Sequence, residues 1–118
     1  MTEAQHQQCV IKWSEQASIR SKWPCLKLLR HNANERKCTP AQGAYLKRMG
    51  VRSGVPDLEL SVPCGKYHGL YIEMKDDTGR TSFDQDWWLE ELQKQGYFCE
   101  VCHGWQSAVR TIEWYISL

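Results

Sequence analysis

Apolar positions along the chain change their spacing several times, and each spacing predicts an element. Residues 3–19 carry Val10, Ile11, Trp13, Ala17 and Ile19 among polar residues, with neither Pro nor Gly, which predicts a helix. Pro24 ends it, and residues 25–30 suit a short strand; 31–38 are polar and irregular. Thr39 followed by Pro40 is a helix start, and Gly50 ends the helix carrying Ala44, Tyr45, Leu46 and Met49. Residues 51–56 form a loop. Residues 57–60 then alternate polar and apolar, Pro63, Gly65 and Gly69 bracket a turn, and 70–75 alternate again, predicting a hairpin. After a loop at 76–81, Ser82 and Gln85 have capping-box spacing before a helix with Phe83, Trp87, Trp88 and Leu92 that Gly96 closes. A strand follows from Tyr97. Gly104 turns the chain into a last helix with Trp105, Ala108, Val109, Ile112 and Ile116 inward. The order α-β-α-β-β-α-β-α predicts an α/β (α+β) fold, a mixed sheet flanked by helices, over one domain spanning residues 1–118.

Strand parity gives the hairpin its chemistry. Side chains alternate across a sheet, so Leu70, Ile72 and Met74 share one face and Tyr71, Glu73 and Lys75 share the other. On the facing strand, Asp57 and Glu59 share a face. A register that sets Asp57 beside Glu73 would bring two carboxylates together with a lysine next to them. Adjacent carboxylates repel, and a hard divalent cation relieves that repulsion. Such a set suits hydrolysis of a phosphodiester. Each piece has an ordinary alternative. A Glu-x-Lys on a strand is usually a solvent-facing ion pair, and a Pro-Asp before a strand is usually only a turn. The combination of Pro56-Asp57, a hairpin and an apolar-interleaved Glu73-Met74-Lys75 is more specific.

Charge distribution adds to this picture. The formal net charge is only +1. Residues 20–52 nevertheless hold nine Lys and Arg against one acid, Glu35, while residues 57–100 hold ten acids against four bases. The first part suits phosphate contacts and the second a cation. The six cysteines include one CxxC, Cys99 and Cys102, on a predicted strand, where residues three apart point to opposite faces. Buried reduced thiols are therefore expected in preference to a zinc site. Nothing approaches the roughly 18–20 apolar residues of a membrane span, and the N-terminus has no signal-peptide pattern. A soluble, cytoplasmic protein is expected.

The arrangement resembles the PD-(D/E)xK nucleases, and within them the VRR-NUC (virus-type replication-repair nuclease) family. The matching residues are Glu3, the run from Tyr45 through Lys47, Arg48, Met49, Gly50 and Arg52 to Pro56-Asp57, the run from Gly69 to Glu73-Met74-Lys75, Gln85, and the tail from Gln95 to Gly104. The resemblance implies a restriction-endonuclease-like αβββαβ core. It also implies that Asp57, Glu73 and the Met74 carbonyl ligate Mg2+, with Mn2+ as substitute, and that Lys75 is the catalytic lysine. Gln85 would orient the lysine or the water, and Glu3 would approach from the first helix. The family occurs in phages and in some repair proteins, and similar stand-alone nucleases resemble Holliday-junction resolvases, which act as dimers; genes for similar phage proteins often lie beside a helicase gene. The resemblance thus implies branched DNA, a second copy and a helicase as candidate partners, in a bacterial or phage-infected cell. The alternative within this fold is a DNA-binding module without activity. The surplus of aromatics at Trp87, Trp88, Trp105 and Trp114 fits either a homodimer or ordinary core packing. For DNA contacts, Lys47, Arg48 and Arg52 are the candidates, through the backbone and not the bases. His31 and Asn32 fall near a family segment His-x-Pro-Asn, but this chain lacks its proline.

Overall fold

A computed structural model describes residues 1–32 and 38–118. The predicted helix over 3–19 is two helices, α1 (Glu3–Glu15) and α2 (Ala17–Lys22). The break is at Gln16, whose backbone is extended (φ −61°, ψ 138°). Ser14 is buried there and donates from its hydroxyl to the Ile11 carbonyl, while Arg20 Nε donates to the Ser14 carbonyl. The turn lets Trp13 and Trp23 pack with ring centroids 6.5 Å apart against the core. The expected strand over 25–30 is mostly a 3-10 helix, Pro24–Leu28, because Pro24 at its first position fixes a helical φ. Only Leu29–His31 forms a strand, β1. The irregular reading of 33–37 lies outside the described residues.

The remaining elements follow the predicted order: α3 (Pro40–Arg48), β2 (Leu58–Leu60), β3 (Leu70–Lys75), α4 (Phe83–Lys94), β4 (Phe98–His103) and α5 (Trp105–Ile116). Capping boxes start α1 at Thr2, α3 at Thr39 and α4 at Ser82. The sheet order is β1-β2-β3-β4, antiparallel between the first three strands and parallel between β3 and β4. This is a mixed sheet flanked by helices. Val10 of α1 and Ala108, Ile112 and Tyr115 of α5 are buried against Leu58, Leu60, Leu70, Ile72 and Met74 on one face. On α4 the buried position is Leu89, while Phe83 and Trp87 point to solvent. Tyr115, not among the inward positions read from the sequence, is fully buried and donates its hydroxyl to the Val62 carbonyl at 2.6 Å.

Candidate nuclease site

The site lies where β2 gives out and β3 runs on. Leu58 pairs with Ile72 and Glu59 with Tyr71. One step further the same register sets Asp57 opposite Glu73, on the face away from the apolar core. Asp57 lies just before β2, and its Oδ2 accepts the Met74 N–H at 2.8 Å. That bond replaces the ladder partner that β2 is too short to supply. The neighbouring bonds fix the direction of the Met74 carbonyl. Gly69 O accepts from Phe98 N and Lys75 O from Gly104 N, so alternate residues of β3 bond to β4. Met74 therefore turns its N–H and C=O the other way, toward Asp57.

Glu73 is about 1% exposed. Its Oε2 accepts from Gln85 Nε2 at 3.3 Å. Its Oε1 is buried and has no hydrogen-bond partner among the described residues. The Asp57 carboxyl lies within hydrogen-bonding range of the Glu73 carboxyl. Burial, that shared hydrogen bond and repulsion from Asp57 push the Glu73 carboxyl up to about 9, with Lys75 pulling against them and Glu3 adding to them. A buried acceptor pair of this kind is the environment a hard cation satisfies, and the oxygen donors present are of the right chemistry. Among the described residues there is no group of three or more His, Cys, Asp or Glu that could hold a metal. An ion here would meet two carboxylates and a main-chain oxygen, a set that suits one that retains several waters.

Lys75 is buried with its Nζ 3.8 Å from Glu73 Oε2 and 3.8 Å from Glu3 Oε1. Glu3 begins α1 and meets Lys75, the last residue of β3. Gly79 packs over the lysine stem: a Cβ there would lie 3.2 Å from Lys75 Cδ. Gln85 keeps its capping box, with Oε1 accepting the Ser82 N–H at 2.9 Å, and in addition holds Glu73; its contact is with the carboxylate and not with the lysine. Lys47 and Arg48, in the last turn of α3, and Arg52, in the following loop, are exposed. Trp88 Nε1 donates to the Ser53 carbonyl at 2.9 Å and ties this loop to α4.

His31 and Asn32 gained no role from the sequence, but the structure gives them one. His31 Nδ1 donates to the Asp57 carbonyl at 2.9 Å, the Asn32 N–H donates to the same oxygen at 2.8 Å, and Asn32 Nδ2 donates to the Pro56 carbonyl at 3.2 Å. Together they hold the backbone that carries Asp57. The only hint in the sequence was their place in the altered His-x-Pro-Asn segment. Cys99 and Cys102 pair with Tyr71 and Met74, on opposite faces of the sheet, and all six cysteines are free thiols.

Fold and site together define a nuclease-type α/β domain. The chain belongs to the VRR-NUC family, whose domain model matches residues 1–106. A solved structure described as a "VRR_NUC domain protein" superposes with a TM-score of 0.82 at 32% identity, covering 99% of this chain and 89% of the other. No curated protein matches the chain. Membership of this family assigns a nuclease-type, DNA-processing function. Among the described residues no helix is long and apolar enough to cross a membrane.

Proposed function

We propose that the protein is a Mg2+-dependent, structure-selective endonuclease that hydrolyses phosphodiester bonds in branched DNA, with Mn2+ as substitute metal. The observation that carries this reading is the buried Glu73 carboxyl, which interacts with that of Asp57 and whose Oε1 meets no donor among the described residues. Asp57, Glu73 and the Met74 carbonyl would hold the ion, which when bound supplies Lewis-acid polarisation of the phosphate and a more acidic water. Lys75 directs its ammonium group toward charge developing on the phosphate and orients the attacking water. Glu3 and Glu73 hold that ammonium between them. Gln85 fixes the Glu73 carboxylate by donating to Oε2.

Lys47, Arg48 and Arg52 bind the DNA backbone beside the site. Backbone contacts do not read bases, so selectivity is for shape. A homodimer with two sites cuts paired strands as a resolvase does; half-exposed Trp87 and Trp114 are in keeping with a second copy. Gel filtration with light scattering tests this, and a monomer at micromolar concentration overturns it. For the reaction, the protein and its Lys75→Ala variant are incubated with supercoiled plasmid, a flap and a four-way junction in magnesium, manganese or EDTA. Cleavage of the branched substrates by the parent alone, abolished by EDTA, is the expected result. Equal nicking by both proteins defeats the assignment.

A further inference from the structure

His6 stands apart from the metal-binding carboxylates, yet its surroundings tie it to Lys75. It lies one helical turn after Glu3 on α1 and is 8% exposed. Helix α5 begins at Trp105 behind Gly104, which has no side chain to cap it. The cap comes from another helix: the Trp105 N–H donates to His6 Nδ1 at 3.1 Å. The ring also packs on Gly104, where a Cβ would lie 3.6 Å from His6 Cε1. Gly104 in turn donates its N–H to the Lys75 carbonyl at 2.9 Å. Lys75 is thus held at its backbone by Gly104 and at its ammonium by Glu3, and His6 touches the first and follows the second by a single turn.

We propose that His6 is a positioning residue that locks the first turn of α1 against the start of α5, and so fixes the place of the Lys75 ammonium group. The inference rests on the nuclease reading for its kinetic consequence. The capping box at Thr2 closes the first turn of α1 on itself but ties it to nothing outside the helix, and α1's next fully buried anchor is Val10, a turn further on. Without the imidazole, Glu3 and the Gly104 backbone would both loosen around Lys75. Because Nδ1 accepts, the neutral ring carries its proton on Nε2.

The test uses the full chain. Misplacing a catalytic group by about 1 Å can cost on the order of a hundredfold in rate, so His6→Ala should lose roughly ten- to a hundredfold in kcat with KM unchanged. His6→Asn, whose amide oxygen can occupy the Nδ1 position, should recover most of it. His6→Gln, which reaches the Nε2 position instead, should not, and it replaces the alanine variant should that one fail to fold. Metal-free protein supplies a second readout. Hydrogen exchange at the Trp105 amide should be slow in the parent and in His6→Asn, and fast in His6→Ala or His6→Gln. An unchanged kcat, a loss confined to KM, or a Trp105 amide equally protected in all variants overturns the proposal. If the parent protein cleaves nothing, the nuclease reading falls, and with it the kinetic role of His6; the amide exchange then still decides the His6–Trp105 link.

Discussion

Gln85 donates from Nε2 to Glu73 Oε2 at 3.3 Å, although its Oε1 is already engaged by the Ser82 N–H that starts α4. One side chain both begins a helix and holds the innermost carboxylate of the site. Its two roles separate by substitution. Gln85→Glu keeps an acceptor for the Ser82 N–H and loses the donor to Glu73, replacing it with a like charge. A hydrogen bond to a charged group is worth about 1.5–3 kcal/mol, so kcat/KM should fall by roughly ten- to a hundredfold. Circular dichroism should show the helix retained. Gln85→Ala should lose both functions, with stability lowered by about 1 kcal/mol for the cap.

The Glu73 carboxyl makes stability depend on pH. In the fold burial, and after it the neighbouring Asp57, push it up to about 9 from an ordinary value of 4.5. The folded protein therefore holds this proton more tightly than the unfolded chain does. Its stabilising contribution is complete below the unfolded value and is lost as pH rises through the folded one. In EDTA, the melting temperature should fall between about pH 5 and 9. Magnesium or manganese should restore it at about pH 8, where the ion displaces the proton, and have little effect at about pH 5. Glu73→Gln should flatten this pH dependence and abolish the metal's effect. Differential scanning fluorimetry across pH, with and without metal, measures all three.

Removing the ammonium group should stop the chemistry without unfolding the protein. Lys75→Met keeps an unbranched stem under Gly79 and loses the charge flanked by Glu3 and Glu73. Cleavage of a four-way junction should drop on the order of a hundredfold to a thousandfold. Junction binding in calcium, measured by gel shift, should survive. A failure to bind would assign Lys75 to substrate capture instead.

The basic residues ahead of the site should act on binding and not on turnover of bound substrate. Every phosphate that a side chain neutralises steepens the salt dependence of log K by about 0.9 for duplex DNA. Lys47→Ala, Arg48→Ala and Arg52→Ala should each weaken binding uniformly across sequences, and the triple variant should make the slope shallower by about three. Fluorescence anisotropy between low and physiological salt reads this directly. An unchanged slope removes these residues from the interface.

The loop leading to Asp57 is seated on α4 by a glycine. Gly54 has φ +89°, and a Cβ on it would lie 2.7 Å from the Asp84 carbonyl carbon and 2.8 Å from its oxygen. Gly54→Ala is therefore disfavoured by both backbone conformation and contact with main-chain atoms that cannot swing aside. It should lower stability by roughly 1–3 kcal/mol, seen as a shifted denaturation midpoint, and should weaken metal binding by displacing Asp57.

What the sequence determined by itself was local or periodic. The alternation over 70–75 gave Glu73 and Lys75 a common face, and Ser82 with Gln85 marked a helix start, because side-chain direction and capping depend only on near neighbours along the chain. The tertiary structure alone decided what depends on distant segments meeting. It broke the first helix at Gln16 so that Trp13 and Trp23 could pack, and it ended β2 short of the position opposite Met74, leaving Asp57 to bond an N–H without a ladder partner. It also brought His31 and Asn32 to the Asp57 backbone and His6 across to cap α5. Each of these answers a main-chain polar group or an apolar surface that a fold must satisfy somewhere, and sequence spacing does not say which remote side chain will do so.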